Sequence, residues 1–184
     1  MDQRKKRGRA AKAAYFVPTG NGNYVYTGPL YSLCAEAKIT AKQASARRLI
    51  FSGAIALLSL LCGILPVPGM SNTFYVIVPY AGTLVFAAVS LWKSARIAYW
   101  GGNSLREYVF DSTAKQLPVY TLLCAAFAIV SIIGEGLCLI LEGVDSAKLP
   151  LAILFMFAHF AIAALALIWR KQESALKWTS KNTQ

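Results

Sequence analysis

LPVYTLLCAAFAIVSIIGEGLCLIL, residues 117–141, decides the reading of this chain, because 25 consecutive residues carry a single charge, that of Glu135. Wound as a helix at about 1.5 Å per residue, the run is about 37 Å long, enough to cross a hydrocarbon core of about 30 Å. Working outward, residues 149–169, 73–92 and 49–65 are three further apolar runs that cross or nearly cross the same thickness. The connections between them at Pro66–Asn72 and Glu142–Lys148 are too short for a folded domain, so successive helices are expected to run antiparallel. The fold class expected is therefore all-α integral membrane, a four-transmembrane-helix antiparallel bundle with a small N-terminal segment on the cytoplasmic side.

Charge sets the orientation. Of the 19 Lys and Arg, ten precede the first span, four lie between spans two and three, and four follow span four, which leaves Lys148 alone for the other side. Basic residues beside spans are retained in the cytoplasm, so both termini and the 93–116 loop are expected inside. Trp92, Trp100, Trp169 and Trp178 fall at or beyond the same helix ends, where amphipathic rings favour the headgroup layer, while Phe74, Tyr75 and Tyr80 mark the outer rim of span two. Short outer loops and the strong charge asymmetry point to a bacterial cytoplasmic membrane.

Residues 1–48 form a basic preamble. Its first 14 residues are rich in charge and poor in large apolar groups, a composition that does not fold alone. Arg4, Lys5, Lys6, Arg7 and Arg9 are expected to contact anionic headgroups; no nucleic-acid fold follows them, so a nucleic-acid partner is not expected. The runs Tyr15-Phe16-Val17 and Tyr24-Val25-Tyr26 flank Gly20-Asn21-Gly22-Asn23, a turn composition that predicts a hairpin over 15–27. Residues 32–48 have helix-compatible composition and are expected to lie on the membrane or to run into span one. In the middle loop, Leu105, Tyr108 and Val109 recur at helical spacing, which predicts a short amphipathic helix laid on lipid. Residues 49–170 form the transmembrane domain and 171–184 a cytoplasmic tail.

Inside the spans, an ionisable side chain needs a reason. Cys124, Ala128, Ser131, Glu135 and Cys138 make a stripe of small or polar residues on span three, and Ala152, His159, Ala163 and Ala166 make another on span four. Such stripes mark close helix approach. Glu135, His159 and Ser131 are thus the candidate intramembrane site, read either as a proton- or cation-responsive pair or as interior groups with local hydrogen bonds. Pro79 with Gly82 is a candidate hinge, since proline removes the donor to the Tyr75 carbonyl. Ser52, Ala56, Ser59 and Gly63 form a packing face for the bundle or a homo-oligomer. Cys62 and Cys138 lie at matched depths, where neighbouring helices would permit a disulfide.

The sequence contains no Ser/His/Asp set at one depth, no HExxH and no CxxC, and has a single His. Neither catalysis nor a cofactor or metal is expected. The preferred expectation is a non-enzymatic accessory or interaction protein working on the cytoplasmic side, with lipid headgroups or a membrane or cytoplasmic protein as partner. The alternative is a small proton- or cation-linked transporter or channel component using Glu135 and His159.

Overall fold

A computed structural model describes residues 15–19, 21–34, 39–100, 104–141, 143 and 146–181. In chain order the elements are β1 (Phe16–Pro18), β2 (Tyr24–Tyr26), β3 (Leu30–Leu33), α1 (Ala41–Ile64), α2 (Gly69–Asn72), α3 (Phe74–Trp100), β4 (Leu105–Arg106), α4 (Glu107–Ser112), α5 (Leu117–Leu141), α6 (Leu149–Ser174) and β5 (Trp178–Lys181). Four of them, α1, α3, α5 and α6, are long and apolar enough to cross a membrane.

Local chemistry explains the helix boundaries. Thr40 starts α1 with a reciprocal cap: its hydroxyl accepts from the Gln43 amide at 3.2 Å and its own amide donates to Gln43 Oε1 at 2.9 Å. Two amide donors that the helix cannot use are thereby satisfied. At the far end Pro66 and Pro68 follow Leu65, and neither can extend a helical hydrogen-bond ladder. Pro150 sits in the first turn of α6, where the missing amide proton costs nothing.

The helices pack in a closed ring: α1 against α3 and α6, and α5 against α3 and α6. The shared core runs from Val76 and Cys138 through Ile55, Ala87, Ala128 and Phe155 to Ala166 and Trp169. Large apolar side chains such as Ile50, Leu57, Val78, Ile133, Ile140, Phe157 and Phe160 cover the outer surface.

At the end of the ring formed by the start of α1 and the close of α3 and α6, three distant segments fold together. β3 is the central strand of an antiparallel sheet ordered β4–β3–β5. Leu30 and Tyr31 pair with Arg106 and Leu105 on one side, and Leu30 through Leu33 pair with Lys181 back to Trp178 on the other. Beside it β1 and β2 form a hairpin in the register Phe16↔Tyr26, Val17↔Val25 and Pro18↔Tyr24. The Thr19 amide and hydroxyl close its turn on the Asn23 carbonyl, with Gly22 at φ 76°, a conformation for which glycine carries no steric penalty.

Several expectations are corrected. The helix placed over 32–48 begins only at Ala41, because Leu30–Leu33 is spent on the sheet; α1 then continues without interruption into the first apolar run. Leu105 and Val109 do not lie on lipid: both are buried in the core, one in strand β4 and one in α4. Span two continues as α3 to Trp100 and span four as α6 to Ser174, since their polar continuations pack on the cap. Trp169 is fully buried, and Trp178 is half-buried with its ring tilted against Phe110 at 5.2 Å, so both rings pack on the protein. Trp92 and Trp100 remain exposed.

Candidate functional site

The cap is secured by an ion pair 125 residues apart in sequence. Arg48, in the second turn of α1, donates from Nε to Glu173 Oε1 and Oε2 at 3.1 and 2.9 Å, and its Nη2 approaches Oε2 to 2.9 Å. The side chains are only 1% and 2% exposed. Trp169, one turn before Glu173 on α6, donates its indole N–H to Oε1 at 3.3 Å, and Trp178 of β5 lies 5.5 Å from the guanidinium. A carboxylate withdrawn from water in this way needs its lone pairs filled, and Arg48 and Trp169 supply the donors.

A second cation organises the hairpin. The Arg106 guanidinium faces the rings of Tyr26, Trp100 and Phe16 at 5.3, 5.5 and 5.9 Å. The Tyr26 hydroxyl donates to the Pro29 carbonyl and accepts from the Glu107 amide, each at 3.2 Å, joining hairpin to α4. Burial holds the Tyr26 phenol above its ordinary value of 10.0, against the smaller opposing effect of the Glu107 amide. Tyr31 stacks flat on Phe110 at 4.3 Å, and Lys93 reaches from α3 to the Ser112 carbonyl and to Gln116 Oε1 at 2.9 Å. Each long helix end is thus tied to the cap by a side chain of its own or of its neighbour.

Arg106→Ala is expected to loosen the hairpin by about 1–2 kcal/mol, the worth of cation–π contacts that are partly desolvated. Hydrogen exchange reads this directly: the Thr27 amide, bonded to the Tyr15 carbonyl, should exchange about tenfold faster while α5 amides stay protected.

The candidates on α5 and α6 lie inside the bundle. Ser131, Glu135 and His159 are all fully buried. The Ser131 hydroxyl donates to the Phe127 carbonyl of its own helix at 3.0 Å. Glu135 lies beneath α2, so close to Gly69 that a Cβ there would collide with Oε2; in the next turn Cys138 meets the Thr73 hydroxyl at 4.0 Å. His159 Nδ1 is 3.0 Å from the Phe155 carbonyl, and its ring sits 4.1 Å from Phe155 and 6.1 Å, edge-on, from Tyr80. The glutamate therefore belongs to the α2–α3–α5 corner and the histidine to the Tyr80–Phe155 layer.

The remaining positions lie at helix contacts. Pro79 is buried in α3, and the Tyr75 carbonyl that it cannot serve lies against Gly134 of α5. Gly82 receives the ring of Phe127. Ser52 and Ser59 bond the Arg48 and Ile55 carbonyls at 2.7 and 2.8 Å, and Ala56 is buried beside them. Tyr80 donates to the Ser59 carbonyl at 3.2 Å with its hydroxyl over Gly63, so this face meets α3 within the chain. Cys62 and Cys138 are free thiols, on α1 and α5, helices that each pack chiefly on α3 and α6. Arg4, Lys5, Lys6, Arg7 and Arg9 lie outside the described residues. Among those described, no three His, Cys, Asp or Glu side chains converge as a metal site.

Sequence reasoning missed Arg48, Glu173, Arg106 and Lys93, having counted the basic ones only as topology signals. One clue was present: Glu173 is the only acidic residue after the fourth apolar run, set among four basic ones. Comparison with protein-family models, with curated proteins and with solved structures finds no match.

Proposed function

We propose that this chain is a non-enzymatic integral membrane protein whose four helices span a bacterial cytoplasmic membrane as an antiparallel bundle, with both termini and the 93–116 loop inside. Its cap would act there as an interaction platform for a membrane or cytoplasmic protein. Insertion is supported by the outer surface: no more than 39% of any apolar window is buried within the protein, leaving the rest to a solvent as apolar as itself. Orientation rests on the eighteen-to-one distribution of Lys and Arg.

The single observation that carries the platform reading is the convergence of β3, β4 and β5, from three separate segments, into one sheet beside a buried ion pair that joins α1 to α6. Topology alone asks for positive flanks and asks for no folded structure there. Val17, Tyr24 and Val25 on the hairpin remain about half exposed or more, at 48, 69 and 52%, offering apolar contact beyond what the cap consumes. The transporter reading would instead use Glu135 and His159, both fully buried within the bundle.

The test is isolation of the tagged chain from its native membrane in mild detergent. A stoichiometric protein partner is expected, lost on deletion of residues 15–28 and retained in Glu135→Gln. A partnerless chain whose cellular phenotype is abolished by Glu135→Gln and spared by the deletion would overturn the reading in favour of transport.

A further inference from the structure

The cap end carries basic side chains on three of the long helices. Arg47 lies in the second turn of α1, Arg96 a turn beyond Trp92 on α3, and Arg170 with Lys171 just after Trp169 on α6. Arg170 and Lys171 are exposed, and Arg47 and Arg96 half-buried. The Arg96 guanidinium lies 5.4 Å from the ring of Trp92, itself 57% exposed, so a charge and an amphipathic ring are presented together. Two of the acids at the cap end are engaged: Glu173 faces Arg48, and Asp111 is 3.2 Å from Lys115. Among the described residues, the collar of Arg47, Arg96, Arg170 and Lys171 has no hydrogen bond or ion pair to a carboxylate.

We infer that this collar is a binding surface for anionic phospholipid, enriching it around the cap end of the bundle through the headgroup phosphates. The chemistry is charge complementarity at the depth of the aromatic belt: guanidinium and ammonium donors meet phosphate, while Trp92 supplies the apolar contact just below. The Arg48–Glu173 pair contributes by holding one carboxylate away from the surface, where it does not offset the collar's charge. The inference rests on the reading that the helices span a bilayer and does not depend on a protein partner.

The test uses the full chain in vesicles of equal parts phosphatidylcholine and phosphatidylglycerol, with bromine on the acyl chains of one or the other, reading quenching of the tryptophan fluorescence. Brominated anionic lipid should quench roughly two- to threefold more than brominated zwitterionic lipid, the enrichment expected of several basic residues near one surface. The preference should vanish in R47Q/R96Q/R170Q/K171Q, persist in R47K/R96K/R170K/K171R, which keeps every charge, and persist when residues 1–14 are removed. Equal quenching of the native chain, a preference that survives the glutamine changes, or one lost with residues 1–14 or in the lysine and arginine exchange would each overturn the collar. No quenching by either lipid would overturn insertion itself and the collar with it.

Discussion

Glu173→Ala is expected to destabilise the folded chain by about 3–5 kcal/mol, because it leaves the Arg48 guanidinium buried without its counter-charge. The side chains are 1% and 2% exposed, so neither water nor salt can take the place of the lost partner. The change also removes the acceptor for the Trp169 indole. Arg48→Ala should be comparably damaging, stranding a carboxylate instead. The double change Arg48→Met with Glu173→Leu should recover much of the loss, since it buries apolar groups in place of the pair and leaves no charge unmatched. Denaturant titration in detergent, followed by tryptophan fluorescence, separates these outcomes. Equal destabilisation in the double and single variants would mean that packing volume, not charge pairing, holds this corner.

The second large effect contrasts two glycines on one helix. Gly134→Ala should destabilise by about 1–3 kcal/mol, because its Cβ would be driven into the Tyr75 carbonyl, a backbone atom that cannot rotate aside. Gly136→Ala, two residues on, should be neutral or stabilising by up to about 1 kcal/mol: the nearest atom is Met156 Cε at 3.9 Å, and alanine favours the helix. The pair controls for helix propensity, which changes identically at both sites. It also bears on Pro79, whose missing amide proton places the Tyr75 carbonyl outside the usual ladder; Gly134 is the residue that makes room for it. Similar costs at both glycines would show that close α3–α5 packing is not what fixes them.

The apolar runs were legible because these helices are long and nearly uncharged, and α5 coincides with the stretch read from sequence, Leu117–Leu141. Their extensions at the cap end were less so: Ala41–Arg48, Lys93–Trp100 and Arg170–Ser174 are helical yet carry polar residues, and hydropathy ends where the apolar run ends. The hairpin could be read from local turn chemistry at Asn21-Gly22. The three-stranded sheet could not, since β4 has two residues and β5 four, and each strand exists through a partner more than 70 residues away. Arg48 and Glu173 escaped for the same reason: charge counting treats basic residues near spans as interchangeable, although one of them is an interior group. For Glu135 and His159, periodicity assigns them to small-residue stripes but not to a common layer, because helix depth and azimuth are set by packing partners.

The account stands on the joining of the N-terminal segment and the tail across four helices, and Ser32 opposite Thr179 reads it most directly. Opposed residues of an antiparallel pair have Cα atoms about 4.5–5.5 Å apart, within the range a disulfide spans. With the four native cysteines replaced, S32C/T179C should oxidise in native membranes to an intramolecular disulfide in high yield. Failure to cross-link, or cross-linking only between chains, would contradict the cap and the placement of both segments on one side of the membrane.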